Sequence, residues 1–108
     1  MKLLTKEITE AFKKIGSQEK VPSGEKICVV KFFDPTGSWT WYATEFDGED
    51  IFFGLVDGFE LEWGNWSLSE IQSGKGRFGL GIERDMYIGK PMLKDIPALK
   101  GRESAWCY

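Results

Sequence analysis

Nine acidic side chains and no basic ones lie between Lys31 and Lys75, and these carboxylates are the groups of the chain best suited to binding a charged partner. The flanking segments each hold seven basic and four acidic residues, so the net charge of -3 hides a strong asymmetry. The pattern predicts an acidic surface that attracts a basic partner and speeds its association. The ordinary alternative is that these acids hydrate turns and outer strand faces. The predicted contact residues are Asp34, Asp47, Glu49, Asp50, Asp57, Glu60 and Glu62, together with Trp39 and Trp41.

No metal or cofactor site is expected. The chain has no histidine, which removes Ser-His-Asp and Cys-His arrangements and a common zinc ligand. Asp47, Glu49 and Asp50 could form a cation site, but their spacing does not match a calcium-binding EF-hand loop. Residues 74–79 match the dinucleotide pattern GxGxxG in letters, yet the pattern needs a strand before it and a helix after it, and the reverse is predicted here. We therefore predict a non-enzymatic protein without catalytic residues, metal or cofactor.

Trp39 and Trp41 stand two residues apart on a predicted strand, so they share one face, and Tyr42 takes the other. Two exposed tryptophan rings at this spacing would form a base-stacking platform. The alternative function is therefore a single-stranded nucleic-acid-binding module that uses Trp39, Trp41 and Tyr42. Core positions are favoured, because large aromatic side chains usually fill the interior of small sheets and because the surrounding acids repel phosphate.

These residues are positioned by a predicted run of short strands and tight turns. Asp47-Gly48 and Asp57-Gly58 are hairpin signals, because Asp-Gly supplies the positive φ angles that tight hairpins need. Asp34-Pro35-Thr36-Gly37 is a third turn signal. In the last run Phe59, Leu61 and Trp63 alternate with glutamates, which predicts a core face and a wet face. The predicted strands are 26–33, 38–46, 50–56 and 59–63, and short connections favour a meander.

The chain of 108 residues is predicted to be a single α+β domain. An N-terminal helix within residues 1–15 begins near the N-cap residue Thr5 and ends at Gly16. It covers one face of a four- to five-stranded antiparallel meander sheet, whose acidic part is 26–66. Residues 67–99 supply a short helix, a glycine-rich loop, a last strand over 82–88 and a helical turn, and 100–108 is a loose tail. Without a long apolar segment or a signal-peptide pattern, we expect a cytoplasmic protein with no membrane partner.

The run VVKFFDPTGSWTWYATEFDGEDIFFGLVDGFELEWGNWSLSEI, followed by FGLGIERDMYIGKPML, resembles a small bacterial domain family of unknown function. The most specific motifs are DPTGSWTWY and FFGLVDGFE, and the resemblance extends to about Leu99. It implies carriage on plasmids, integrative elements and phages, often among antirestriction and conjugation genes. It supplies no catalytic residues.

From the resemblance and the charge pattern together we expect a protein-binding accessory protein of a mobile genetic element. An anti-defence role of the antirestriction or anti-CRISPR type would suit it, with the acidic surface presented to basic residues of a host nuclease or nucleoprotein.

Overall fold

The computed structural model describes residues 2–73 and 81–108. The predicted GxGxxG pattern at residues 74–79 lies outside the described residues. Three α-helices are described, α1 (Lys6–Ile15), α2 (Leu68–Gln72) and α3 (Glu103–Trp106). The strands are β1 (Val30–Phe33), β2 (Thr40–Phe46), β3 (Ile51–Asp57), β4 (Leu61–Ser67) and β5 (Glu83–Arg84).

The five strands form one antiparallel sheet in the order β4-β3-β2-β1-β5. Strands β1 to β4 are a meander, and β5 pairs with the outer edge of β1. This confirms the predicted α+β fold with an N-terminal helix and short C-terminal helical turns. β4 runs on to Ser67, beyond its predicted end at Trp63, and β5 is shorter than predicted because the chain turns away at Asp85.

Helix α1 begins and ends where its capping residues predict. The Thr5 hydroxyl accepts a hydrogen bond from the backbone N–H of Ile8 at 3.2 Å, which satisfies a donor that the first helical turn leaves free. Gly16 ends the helix at a φ of 71°, a conformation that glycine adopts readily. Phe12 is the buried residue of the helix, and its ring meets Phe46 and Phe52 with centroid distances of 5.6 and 5.9 Å. The helix thereby seals one face of the sheet.

The two Asp-Gly pairs both lie at hairpin turns, but for different reasons. Gly48 has a φ of 89°, as the hairpin rule requires. Gly58 does not have a positive φ, so that part of the prediction is wrong. A Cβ at Gly58 would lie 2.5 Å from the Trp39 ring, so glycine is needed there to let the indole pack against the backbone.

Both faces of the sheet are covered, which differs from the prediction of one wet face. Leu61 and Trp63 do turn inward, toward a second core under the C-terminal segment. Phe59 was expected beside them but is 72% exposed, because Asp57 pairs with Leu61 and leaves Phe59 in the turn. The predicted loose tail is also wrong in part, since Trp106 is fully buried. The second core contains Cys28, Tyr42, Leu55, Leu61, Leu93, Ile96, Leu99 and Trp106.

Candidate functional site

The predicted acidic residues do not form one surface, because a meander sends successive turns to opposite ends of the sheet. Strands β2 and β3 have seven residues each and span about 20 Å. This is more than twice the Debye length of about 8 Å at physiological salt. Salt therefore screens the charges at one end from those at the other, and their electrostatic potentials do not add up. The expectation of a single acidic contact surface is therefore wrong. One end carries Asp47, Glu49 and Asp50, and the other carries Asp34, Asp57, Glu60 and Glu62.

At the first end, two of the carboxylates stabilise local structure. Asp47 Oδ1 accepts hydrogen bonds from the backbone N–H groups of Glu49, Asp50 and Ile51 at 2.8, 2.9 and 3.0 Å. These three hydrogen bonds lower the pKa of Asp47 below its ordinary value. The Asp50 carboxylate accepts from the backbone N–H and the hydroxyl of Ser69, both at 2.9 Å, and so holds the first turn of α2. Glu49 is exposed at the tip of this turn.

At the opposite end, Asp34 and Asp57 are also occupied within the fold. Asp34 is only 3% exposed, and its Oδ1 accepts from the backbone N–H and hydroxyl of Thr36 at 2.9 Å. It therefore does not belong to the exposed contact surface that was predicted. Asp57 receives two hydrogen bonds from the guanidinium of Arg102, each 2.9 Å long, and this pairing raises the pKa of Arg102. The acids of this group that remain exposed are Glu60 and Glu62.

The three aromatic residues of the alternative prediction do not make one stacking platform. Trp39 and Trp41 are half-buried with ring centroids 6.0 Å apart, and Trp41 packs on the core beneath α1. Tyr42 is buried in the second core, on the opposite face of the sheet. Its burial and the nearby Asp57 carboxylate raise the pKa of its hydroxyl to about 12. Tyr42 therefore cannot stack on the same nucleic-acid ligand as Trp39 and Trp41.

The feature best suited to hold a ligand is a cleft beside the second core, which we call the aromatic cleft. It lies between residues 19–23 and the face of the sheet opposite α1, which we call the second face. Its volume is about 810 Å³. Phe53 and Trp63 line it, and Tyr108 also borders it. Its ionisable side chains include Lys26 and Glu45, the latter on β2. The volume falls within the range of about 300–1,000 Å³ that is typical of ligand sites.

Two parallel rings form the floor of the aromatic cleft. Phe53 on β3 and Trp63 on β4 stack with centroids 5.8 Å apart and an interplanar angle of 10°. Both side chains are half-buried. The indole Nε1 of Trp63 donates to the backbone carbonyl of Trp106 at 2.8 Å, so the C-terminal segment fixes the orientation of this ring. The floor is therefore apolar, with the Trp63 ring held by a hydrogen bond and the Phe53 ring stacked against it.

Gln18 fixes the opposite wall of the aromatic cleft. Its side-chain Nε2 donates to the carbonyls of Ile27 and Thr44 at 2.9 and 2.8 Å, and its Oε1 accepts from the N–H of Ile27 at 2.6 Å. Its backbone N–H donates to Glu45 Oε2 at 2.9 Å. The polar connection after α1 is in this way anchored to β2.

Lys26 extends along the cleft and is 9% exposed. Its ammonium donates to the backbone carbonyl of Gln18 and, at 3.5 Å, to that of Glu19. It also lies 5.9 Å from the centroid of the Trp63 ring, within the range of a cation–π interaction. No carboxylate among the described residues lies within 4.0 Å of this ammonium.

Sequence reasoning missed this site. The alternation of Phe59, Leu61 and Trp63 did place Trp63 toward a core, and this is the signal that could have been followed further. Nothing in the local pattern pairs Trp63 with Phe53 or brings Lys26 over its ring. Both contacts depend on the register of β3 against β4 and on the path of the segment after α1.

Two features are absent from the part of the chain that the structure describes. No helix there is long and apolar enough to cross a bilayer. No cluster of three or more His, Cys, Asp or Glu side chains is arranged there to hold a metal ion.

Comparison with known proteins gives one result. A family model described as "Protein of unknown function (DUF2958)" matches residues 3–94. Neither curated proteins nor solved structures yield a match. The matched range includes the whole sheet, α1 and nine of the ten residues that line the cleft, among them Lys26, Phe53 and Trp63. The chain therefore belongs to the DUF2958 family, a family of unknown function.

Proposed function

We propose that this protein is a non-enzymatic binding protein that holds a segment of another protein in the aromatic cleft. The expected function class, a protein-binding accessory protein, is thus kept, but the contact moves from the acidic turns to the cleft. The resemblance described above adds the setting to the proposal: a mobile genetic element, with a host defence protein as the partner.

The observation that carries the proposal is the exposed floor of the cleft. The second face of the sheet is otherwise sealed by Leu93, Ile96, Leu99 and Trp106, all of which are buried. Phe53 and Trp63 remain half-buried at the margin of that core. Large aromatic side chains that are preordered and partly exposed in a concave site commonly dominate binding energy at protein interfaces. They lose little conformational entropy on binding, because their orientation is already fixed.

A second candidate contact is the acidic turn between β2 and β3. Asp50 binds Ser69 and so places the exposed Glu70 of α2 near the exposed Asp47 and Glu49. A basic partner that bound this end would associate faster at low salt. This candidate is weaker, because Asp47 and Asp50 already accept hydrogen bonds from the fold.

The test is a selection of short random peptides displayed on phage, performed on the intact protein, with dissociation constants then measured for synthetic copies of the enriched peptides. Phe53→Ser removes one ring of the floor and should weaken binding by more than about tenfold. Tyr87→Ser is the matched control, because that ring is 97% exposed and lies outside the cleft. It should leave binding unchanged.

Two results would contradict the cleft as the binding site. One is that Phe53→Ser and Tyr87→Ser weaken binding by the same factor, or that neither of them weakens it. The other is a set of peptides that is insensitive to Phe53→Ser but loses affinity with Glu49→Lys, which would move the contact to the acidic turn. Urea denaturation of each variant verifies that the fold is retained.

A further inference from the structure

We propose that the segment held in the aromatic cleft carries an acidic side chain, and that the Lys26 ammonium recognises its carboxylate. This inference rests on the proposed function and specifies the chemistry of the partner. It reverses the charge expected from the sequence, which pointed to a basic partner.

Lys26 is held in place by the fold. Its backbone carbonyl accepts from the N–H of Leu93 at 2.9 Å, a residue of the second core, so the start of the side chain is fixed. The side chain then runs beside Trp63 and lines the aromatic cleft. A lysine on the surface would keep its charge in water, whereas this one is 9% exposed.

The Lys26 ammonium has one N–H donor for which the described residues offer no acceptor. An ammonium group has three N–H donors. Two are directed to the carbonyls of Gln18 and Glu19, and the described residues provide no acceptor for the third. Carbonyl dipoles and the face of the Trp63 ring stabilise the cation but do not neutralise it. A buried charge is most stable when it is paired with an opposite one, and a carboxylate from a ligand would supply both the pairing and the third acceptor.

The charged groups around Lys26 bear on the sign of the ligand. Glu19 and Lys20 lie at the exposed rim and have opposite signs, so they offset each other. Glu45 also lines the cleft and carries a negative charge, but its Oε2 already accepts from the backbone N–H of Gln18, whereas no acceptor among the described residues takes the third N–H of Lys26. A cationic ligand stacked on Trp63 would meet an ammonium that lies 5.9 Å from the ring centroid and would be repelled. An anionic group is favoured over a cationic one for this reason.

The arrangement fits a carboxylate more closely than a phosphate. Phosphate groups in proteins are generally bound by several donors, often from arginine forks, and carry nearly two negative charges at neutral pH. The described residues that line this cleft include two lysines and two glutamates but no arginine. An aspartate or glutamate next to an apolar or aromatic residue would place its carboxylate at Lys26 and its neighbour on the Phe53–Trp63 floor.

The experiment compares enriched peptides with copies in which each acidic residue is replaced by its amide, so that the protein itself is unchanged. One such replacement should weaken binding to the wild type by about tenfold at low salt, as expected for a lost charge-assisted hydrogen bond. The same replacement should have little effect on binding to Lys26→Met. Lys20→Met is the matched control and should retain the full dependence on the acid, because it removes a rim charge of the same cleft.

The outcomes separate this inference from the proposed function. Peptides that require Phe53 but tolerate amide replacement overturn the acidic partner while the cleft stands. Peptides that do not require Phe53 overturn the cleft itself. Because the acid-to-amide comparison uses the wild type, it decides whether the partner must be acidic even where Lys26→Met fails to fold. Loss of the acid dependence in Lys20→Met would assign the carboxylate to Lys20 and overturn the role of Lys26. Peptides that require a phosphorylated residue for binding would also overturn the carboxylate.

Discussion

Gly54 gives the sharpest test of the sheet geometry, because an alanine there would collide with the neighbouring strand. A Cβ built at Gly54 would lie 2.0 Å from the carbonyl oxygen of Tyr42 and 3.0 Å from the Cα of Ala43. Both are backbone atoms, so no side chain can rotate away. β2 and β3 would have to part by about 1 Å to restore a van der Waals separation. The position lies next to the irregularity in the β2–β3 register between Ala43 and Glu45.

The magnitude follows from what such a separation disrupts. Overpacking alone typically costs about 1–3 kcal/mol. Parting the strands also weakens two or so hydrogen bonds of the ladder, at about 1 kcal/mol each. We expect Gly54→Ala to lower the free energy of unfolding by about 3–5 kcal/mol, a large share of the ~5–15 kcal/mol of a typical domain.

The control is Gly64→Ala, which lies directly opposite Gly54 in the β3–β4 register. A Cβ there meets nothing within 4 Å, and the residue is not in a positive-φ conformation. The substitution should therefore be neutral or stabilise the fold by about 0.4–1 kcal/mol, because alanine restricts the unfolded chain. Urea denaturation followed by tryptophan fluorescence measures both values. If the two variants differ by less than about 1 kcal/mol, the close approach of β2 to β3 at Gly54 is refuted.

Two further predictions concern the second core and the β2–β3 turn. Leu61→Ala should lower the free energy of unfolding by about 2–5 kcal/mol because Leu61 is buried, whereas Glu60→Ala should change it by less than about 0.5 kcal/mol, and equal effects would contradict the facing of β4. Asp47→Ala should lower the denaturation midpoint at pH 6. Folding lowers the pKa of Asp47, so its stabilising effect is complete above the unfolded-state pKa of about 3.9 and is lost as the pH falls through the folded-state pKa. The difference in denaturation midpoint between Asp47→Ala and the wild type should therefore shrink below pH ~4. A difference that stays constant from pH 6 to below pH ~3 would show that the carboxylate charge is not responsible.

Local signals in the sequence were sufficient to predict the elements of the fold. The Thr5 cap and the Gly16 stop define α1, and the Ser67 hydroxyl caps α2 by accepting from the N–H of Glu70 at 3.1 Å. These signals work because they involve residues that are close in sequence and satisfy backbone groups within one turn. The antiparallel meander follows from them, since short turns leave adjacent strands few other arrangements.

The position of the acids shows where the same reasoning was incomplete. The meander itself places successive turns at opposite ends of the sheet, so the separation of Asp47 from Asp57 was already implied by the predicted topology. What the sequence could not reveal is the use of each carboxylate, because their partners Ser69 and Arg102 are distant in the chain. Charge counts alone therefore overestimated the exposed acidic surface.

By itself, the sequence determined the class of the fold, the order of its elements before residue 100 and the direction in which Leu61 and Trp63 face. These properties follow from periodicity and turn chemistry, which act over a few residues. Only the tertiary structure decided that both faces of the sheet are covered, that Trp106 closes the second core, and that Phe53, Trp63 and Lys26 meet in one cleft. Such contacts join segments far apart in the chain, and they depend on strand register and packing, which no local pattern encodes.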